Sequence, residues 1–112
     1  MTVVKRSGKV EEFDVHKLKK AVWKAYTDVY GLENPEVPLR TVNKRKKECD
    51  KSCVEIVKRM MMPRNRKGEY TAEEIWDWAA YTLMDCDKAV AKAFIVYGYA
   101  IDKGDNNGSN KA

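Results

Sequence analysis

Three stretches of this chain are strand-prone, residues 2–5, 10–13 and 69–70, and none exceeds four residues. A sheet that small is not stable alone in water, so something else must cover it. Ser7-Gly8 lies between the first two stretches as a turn signal, since glycine takes positive φ without steric cost. The spacing predicts a β-hairpin, and residues 69–70 are a candidate third strand.

The cover comes from helical repeats. Leu18, Ala21, Val22, Ala25 and Val29 recur at helical spacing. Asp14 before them suits an N-cap, Phe13 and Leu18 have the spacing of a hydrophobic staple, and Gly31 suits a C-cap. These signals predict a helix over 15–30. Pro35 and Pro38 make 32–39 a connector. Val42, Cys49, Cys53, Ile56, Val57 and Met60 then form one apolar face of a helix over 40–61, closed by Pro63, with Met60, Met61 and Met62 at the core edge. Thr71 and Glu74 have capping-box spacing and open a helix over 72–84 that carries Ile75, Trp78, Ala79, Thr82 and Leu83 on one side. Residues 85–87 break it, and Asp87 can cap a last helix over 88–102. That helix is apolar nearly all round, which predicts a central position. The polar residues 103–112 suit a disordered tail or linker. The expectation is one domain over 1–102 of the α+β class: a small hairpin or three-stranded sheet capping a four-helix bundle.

Charge narrows the partner. Lys and Arg total 22 against 17 Asp and Glu, a net charge of +5. A basic chain suits an anion: a nucleotide, a nucleic acid or an acidic protein surface. No run approaches the roughly 20 apolar residues of a membrane span, and the start has no apolar signal-peptide core, so no membrane partner is expected. Three cysteines with one histidine carry no zinc signature; they suit reduced thiols and a cytoplasmic location. Cys49 and Cys53 suit core packing. No nucleophile–base pair stands out and the phosphate-loop pattern is absent, so catalysis is not indicated.

The basic hairpin lies directly before a helix start, where Lys5, Arg6 and Lys17 can meet phosphate. Glu11 and Asp14 are acceptors for a ribose hydroxyl or an exocyclic amine. A solvated charged hairpin accounts for the same residues. The run "KRKK" at 44–47, with Arg64, Arg66 and Lys67, suits either a nucleic-acid patch or a wet helix face.

"VVKRSGKVEEFDVHKLKKAVWKAY" resembles the opening of the ATP-cone domain: Val-x-Lys-Arg-x-Gly, a strand ending in Phe, then a helix with Lys. "YTAEEIWDWAAYTLM" is similar to that family's later Thr-x-x-(Asp/Glu)-Ile helix. "DKAVAKAFIVYGYA" is similar to its closing helix, although Gly98 and Ala100 stand where many members turn basic. The resemblance spans about residues 3–100. It implies a binding site for ATP or dATP, with Mg²⁺ carried by the triphosphate, and no catalysis. Lys5 and Arg6 fall on the family's Lys-Arg pair, Lys17 on its helix lysine, Glu11 and Asp14 on its polar positions near base and sugar, and Thr71 on the threonine of the later helix. It further implies allosteric control of a ribonucleotide reductase catalytic subunit, or of homo-oligomerisation, by an excised or free-standing cone. Two other readings stand beside it: a small basic nucleic-acid-binding domain or transcriptional regulator, and a protein-interaction module with a decayed pocket.

Overall fold

Gly8 takes φ +89° and lets the chain reverse between two three-residue strands, β1 (Thr2–Val4) and β2 (Val10–Glu12). The computed structural model of the chain describes residues 1–5 and 7–96. The Gly8 amide donates to the Lys5 carbonyl and the Lys5 amide to the Lys9 carbonyl, both at 2.8 Å, so the turn lies where the Ser-Gly pair predicts it. A third strand, β3 (Glu69–Thr71), pairs parallel with β1 on its other edge, giving the order β2-β1-β3.

The helices follow their caps. Helix α1 (Val15–Tyr30) starts at Asp14, whose carboxylate accepts the His16 amide at 2.9 Å, and ends at Gly31, in the left-handed region at φ 60°. Helix α2 (Leu39–Met60) starts after Pro38 without a side-chain cap. Helix α3 (Ala72–Cys86) opens on the full capping box: Glu74 N–H donates to Thr71 Oγ1 at 3.0 Å, and Thr71 N–H donates to Glu74 Oε1 at 2.9 Å. It runs past residue 84 to Cys86, and Asp87 alone breaks it. Neither Asp85 nor Cys86 removes a helical hydrogen bond, so the stop predicted at 85 comes two residues later. Asp87 caps the next helix, α4, by accepting the Ala89 and Val90 amides; its described part covers 88–96.

The core is one cluster between the inner sheet face and the four helices. Val22, Ala25, Ile56, Met60, Ala79, Leu83, Val90 and Ala91 are each fully buried. Burying a Leu or Ile side chain contributes roughly 1.5–3 kcal/mol, so this cluster carries the fold. Tyr26 and Tyr70 enter it with their hydroxyls satisfied: Tyr26 bonds Ser52 Oγ at 3.1 Å, and Tyr70 donates to the Met60 carbonyl at 2.9 Å. Two expectations need correction. Met61 and Met62 are exposed beyond the end of α2, leaving only Met60 in the core. Helix α4 is not buried all round: Val90, Ala91 and Phe94 point inward, but Ile95 and Val96 are exposed, because the three other helices cover only one side of it. Trp76 packs edge-on against Phe94, ring centroids 4.7 Å apart, and both Trp76 and Trp78 are half-buried. The remainder of the predicted last helix and the predicted tail lie outside the described residues. Among the described residues no helix is long and apolar enough to cross a membrane.

Candidate functional site

The register of the sheet builds the site. Val3 pairs with Glu11 on one edge and with Tyr70 on the other. Directly paired residues share a face, and residues two apart on a strand share it too. Val3 packs on the core and Tyr70 is buried in it, so Glu11, Lys5 and Lys9 also belong to the helix-facing side of the sheet. There they meet Lys17, which reaches back from the start of α1.

Glu11 is the centre of this group. Its Oε1 lies 3.4 Å from Lys5 Nζ and 3.7 Å from Lys9 Nζ, and its Oε2 lies 3.6 Å from Lys17 Nζ. Three ammonium groups thus share one carboxylate beneath the hairpin. Partial burial pushes the Glu11 carboxyl up, but the charges of Lys17, Lys5 and Lys9 outweigh it and hold it below the ordinary carboxylate range. The cluster has an excess of two positive charges, is open to water, and can accept a polyanion in place of the single carboxylate.

The structure brings together Lys5, Glu11 and Lys17 of the sequence-predicted set. It adds Lys9, which joins them through the register: Lys9 pairs across the turn with Lys5 and shares a strand face with Glu11. Thr71 stands one strand away, paired with Val4 beside the backbone that leads into Lys5, and by the same alternation it is on the sheet face opposite Glu11 and the lysines. Its hydroxyl already accepts the Glu74 amide, which leaves its proton free for another acceptor. Asp14 is not drawn into the lysine cluster; one of its oxygens caps α1. One amide of that helix start, the His16 N–H, is thus taken by the chain itself. Arg6 lies outside the described residues.

The other predicted patch divides. Lys44, Lys46 and Lys47 are exposed on α2, whereas Arg45 turns inward. Its guanidinium lies 3.8 Å from the Tyr30 ring centroid and bonds Glu48 at 2.8 Å. The Tyr30 hydroxyl in turn donates to Asp87, so one polar chain joins α1, α2 and the cap of α4. Lys67 in the loop after α2 pairs with Glu74 beside Thr71. Cys49 and Cys53 are buried and Cys86 is exposed, all as free thiols. Among the described residues no group of His, Cys, Asp and Glu could hold a metal ion.

The family profile described as ATP cone domain matches residues 1–102, and the chain belongs to that family. This is a family of nucleotide-binding allosteric regulatory domains, regulatory and not catalytic, whose effectors are ATP and dATP. The comparison with curated proteins gives no match.

Proposed function

We propose that this chain is an ATP- or dATP-responsive switch whose nucleotide lies between the hairpin and the start of α1, and that it controls the activity or assembly of a ribonucleotide reductase. The observation that carries this reading is the convergence of Lys5, Lys9 and Lys17 on Glu11 in a chain of this family. The lysines hold the phosphates as point charges. Glu11, released from them, accepts from the adenine amine. Asp14 lies toward the sugar, the Thr71 hydroxyl approaches the nucleotide around the sheet edge, and Arg6, the second residue of the motif pair, completes the phosphate and base contacts. The nucleotide brings its own Mg²⁺ on phosphate oxygens.

Regulation follows from differential affinity. ATP and dATP act oppositely only if they favour different surfaces of the domain, toward a reductase subunit or toward a second copy of the chain. The test is a thermal-shift titration with ATP, dATP and GTP, each with Mg²⁺. Ligand at one hundred times its Kd stabilises a fold by about 2.7 kcal/mol, a clear midpoint shift in a domain of this size. ATP and dATP should shift the midpoint and GTP should not, and Lys5→Ala with Lys17→Ala should abolish the shift. An unchanged shift in that double variant would remove the site assignment.

A further inference from the structure

Two parts of the sequence are basic without interruption. Residues 15–27 hold four lysines and no acid, and residues 37–47 hold five Lys or Arg and no acid. The fold lays these parts side by side. Lys19 pairs with Asp50 at 3.2 Å, Lys46 lies 5.9 Å from the Trp23 ring centroid, and Arg45 stacks on Tyr30. As numbers rise along α1 they fall along α2, so the two helices are antiparallel and their outer ridges form one face. Lys20 and Lys24 line the α1 ridge, and Lys44, Lys46, Lys47 and Lys51 line α2. All six are exposed, and among the described residues none forms an ion pair. The acids nearest to them in α2 are already engaged, Asp50 by Lys19 and Glu48 by Arg45.

We propose that this α1–α2 face binds the phosphate backbone of nucleic acid without sequence preference, as a surface separate from the nucleotide pocket. Six lysines outnumber the acids near them, Asp28 one turn after Lys24 and the engaged Glu48, Asp50 and Glu55 of α2, and so raise the potential on one side of the molecule. Their composition selects the partner. Protein interfaces are depleted in lysine, whereas nucleic-acid interfaces are strongly positive. Lysine predominates on this face, with the exposed Arg40 at the start of α2 as its one exposed arginine among the described residues, and a lysine-dominated surface suits backbone contact more than base reading.

The test uses the full chain and a labelled DNA duplex of mixed sequence, followed by fluorescence anisotropy as salt is raised. The duplex should bind at low salt, and log affinity should fall linearly with log salt, steepening by about 0.9 for each phosphate neutralised. The variant Lys20→Ala, Lys24→Ala, Lys46→Ala, Lys47→Ala should bind at least tenfold more weakly with a shallower slope, while keeping the wild-type thermal response to ATP. Should it fail to fold, the pair Lys46→Ala, Lys47→Ala carries the same test. The pair Lys88→Ala, Lys92→Ala on α4 removes equal charge elsewhere and should lose less than that α2 pair. No binding at low salt, or equal losses from the two pairs, would overturn the proposal. Displacement of the duplex by polyglutamate at equal charge would also overturn it and give the face to an acidic protein. The duplex-binding outcomes do not depend on the nucleotide pocket.

Discussion

Glu11 sits where a phosphate group would be most favoured, and its neighbours determine how it responds to pH. Its carboxyl titrates below the ordinary value of 4.5 because three lysines favour the charged form, and Glu74 does so beside Lys67 and the Thr71 amide. A group whose folded pKa is depressed stabilises the fold above its unfolded pKa and loses that effect as pH falls through the folded value. The contribution of Glu11 is therefore complete at neutral pH and disappears below about pH 4.5. Replacing Glu11 by Gln should flatten the acid limb of a urea-midpoint profile. It should also free the lysines: inorganic triphosphate should bind the variant at least as tightly as wild type, while the preference for ATP over GTP falls. A variant that keeps full adenine preference would show that Glu11 does not touch the base. The cysteines give a second prediction at this scale. Cys49 is 2% exposed, and the neighbouring Cys53 thiol and its own burial hold its thiol above the ordinary range. Brief alkylation of native protein should give one adduct, at Cys86, and three only in denaturant. Two or more native adducts would show that the α1–α2 seam opens.

Helix ends are where local chemistry and tertiary position meet, and Thr71 has a place in both. Its hydroxyl closes the capping box of α3 and stands beside the entry to Lys5. Thr71→Ala should cost about 1 kcal/mol of stability from the lost cap. Thr71→Ser keeps the hydroxyl and should restore most of it. Comparing ATP affinity in the two separates the roles: a ligand contact weakens binding in the Ala variant and not in the Ser variant, whereas a pure cap leaves both at wild-type affinity. Measuring both urea unfolding and ATP binding decides between them. The elements most legible in the sequence were those with such local signals. The Ser-Gly turn, Asp14, Gly31, the Thr71–Glu74 box and Asp87 each imposed a boundary through a hydrogen bond or a φ value that one residue type supplies. Other features depended on neighbours that no local pattern names. The exposure of Ile95 and Val96 follows from how many helices reach α4, and the inward turn of Arg45 follows from the ring of Tyr30 on another helix. The site was half legible for the same reason. Lys5, Glu11 and Lys17 were visible in the motif, but Lys9 joins them only through the strand register.

At the scale of the whole molecule, β1 is the joint between ligand site and bundle. One edge of this three-residue strand pairs with β2 and the lysine cluster, and the other pairs with β3, which runs directly into α3. The Tyr70 side chain is anchored in the core by its bond to the Met60 carbonyl, so β3 cannot shift without loosening the end of α2. Arg59, near that same end, bridges Glu55 within α2 to Asp85 on α3, at 3.1 Å and 2.8 Å. A triphosphate that draws Lys5, Lys9 and Lys17 together would tighten the hairpin, and the shared strand would pass that tightening to the start of α3. Hydrogen exchange with and without ATP tests the route directly. Protection should rise in 2–12, at the proposed ligand site, and also in 69–74, across a strand pair that the ligand does not need to touch. The same comparison on the Glu74→Ala variant, which opens the capping box and frees Lys67, should keep the first rise and reduce the second. Protection confined to the hairpin in wild type would mean that the sheet isolates the site from the bundle, and an assembly signal would then have to leave through α1.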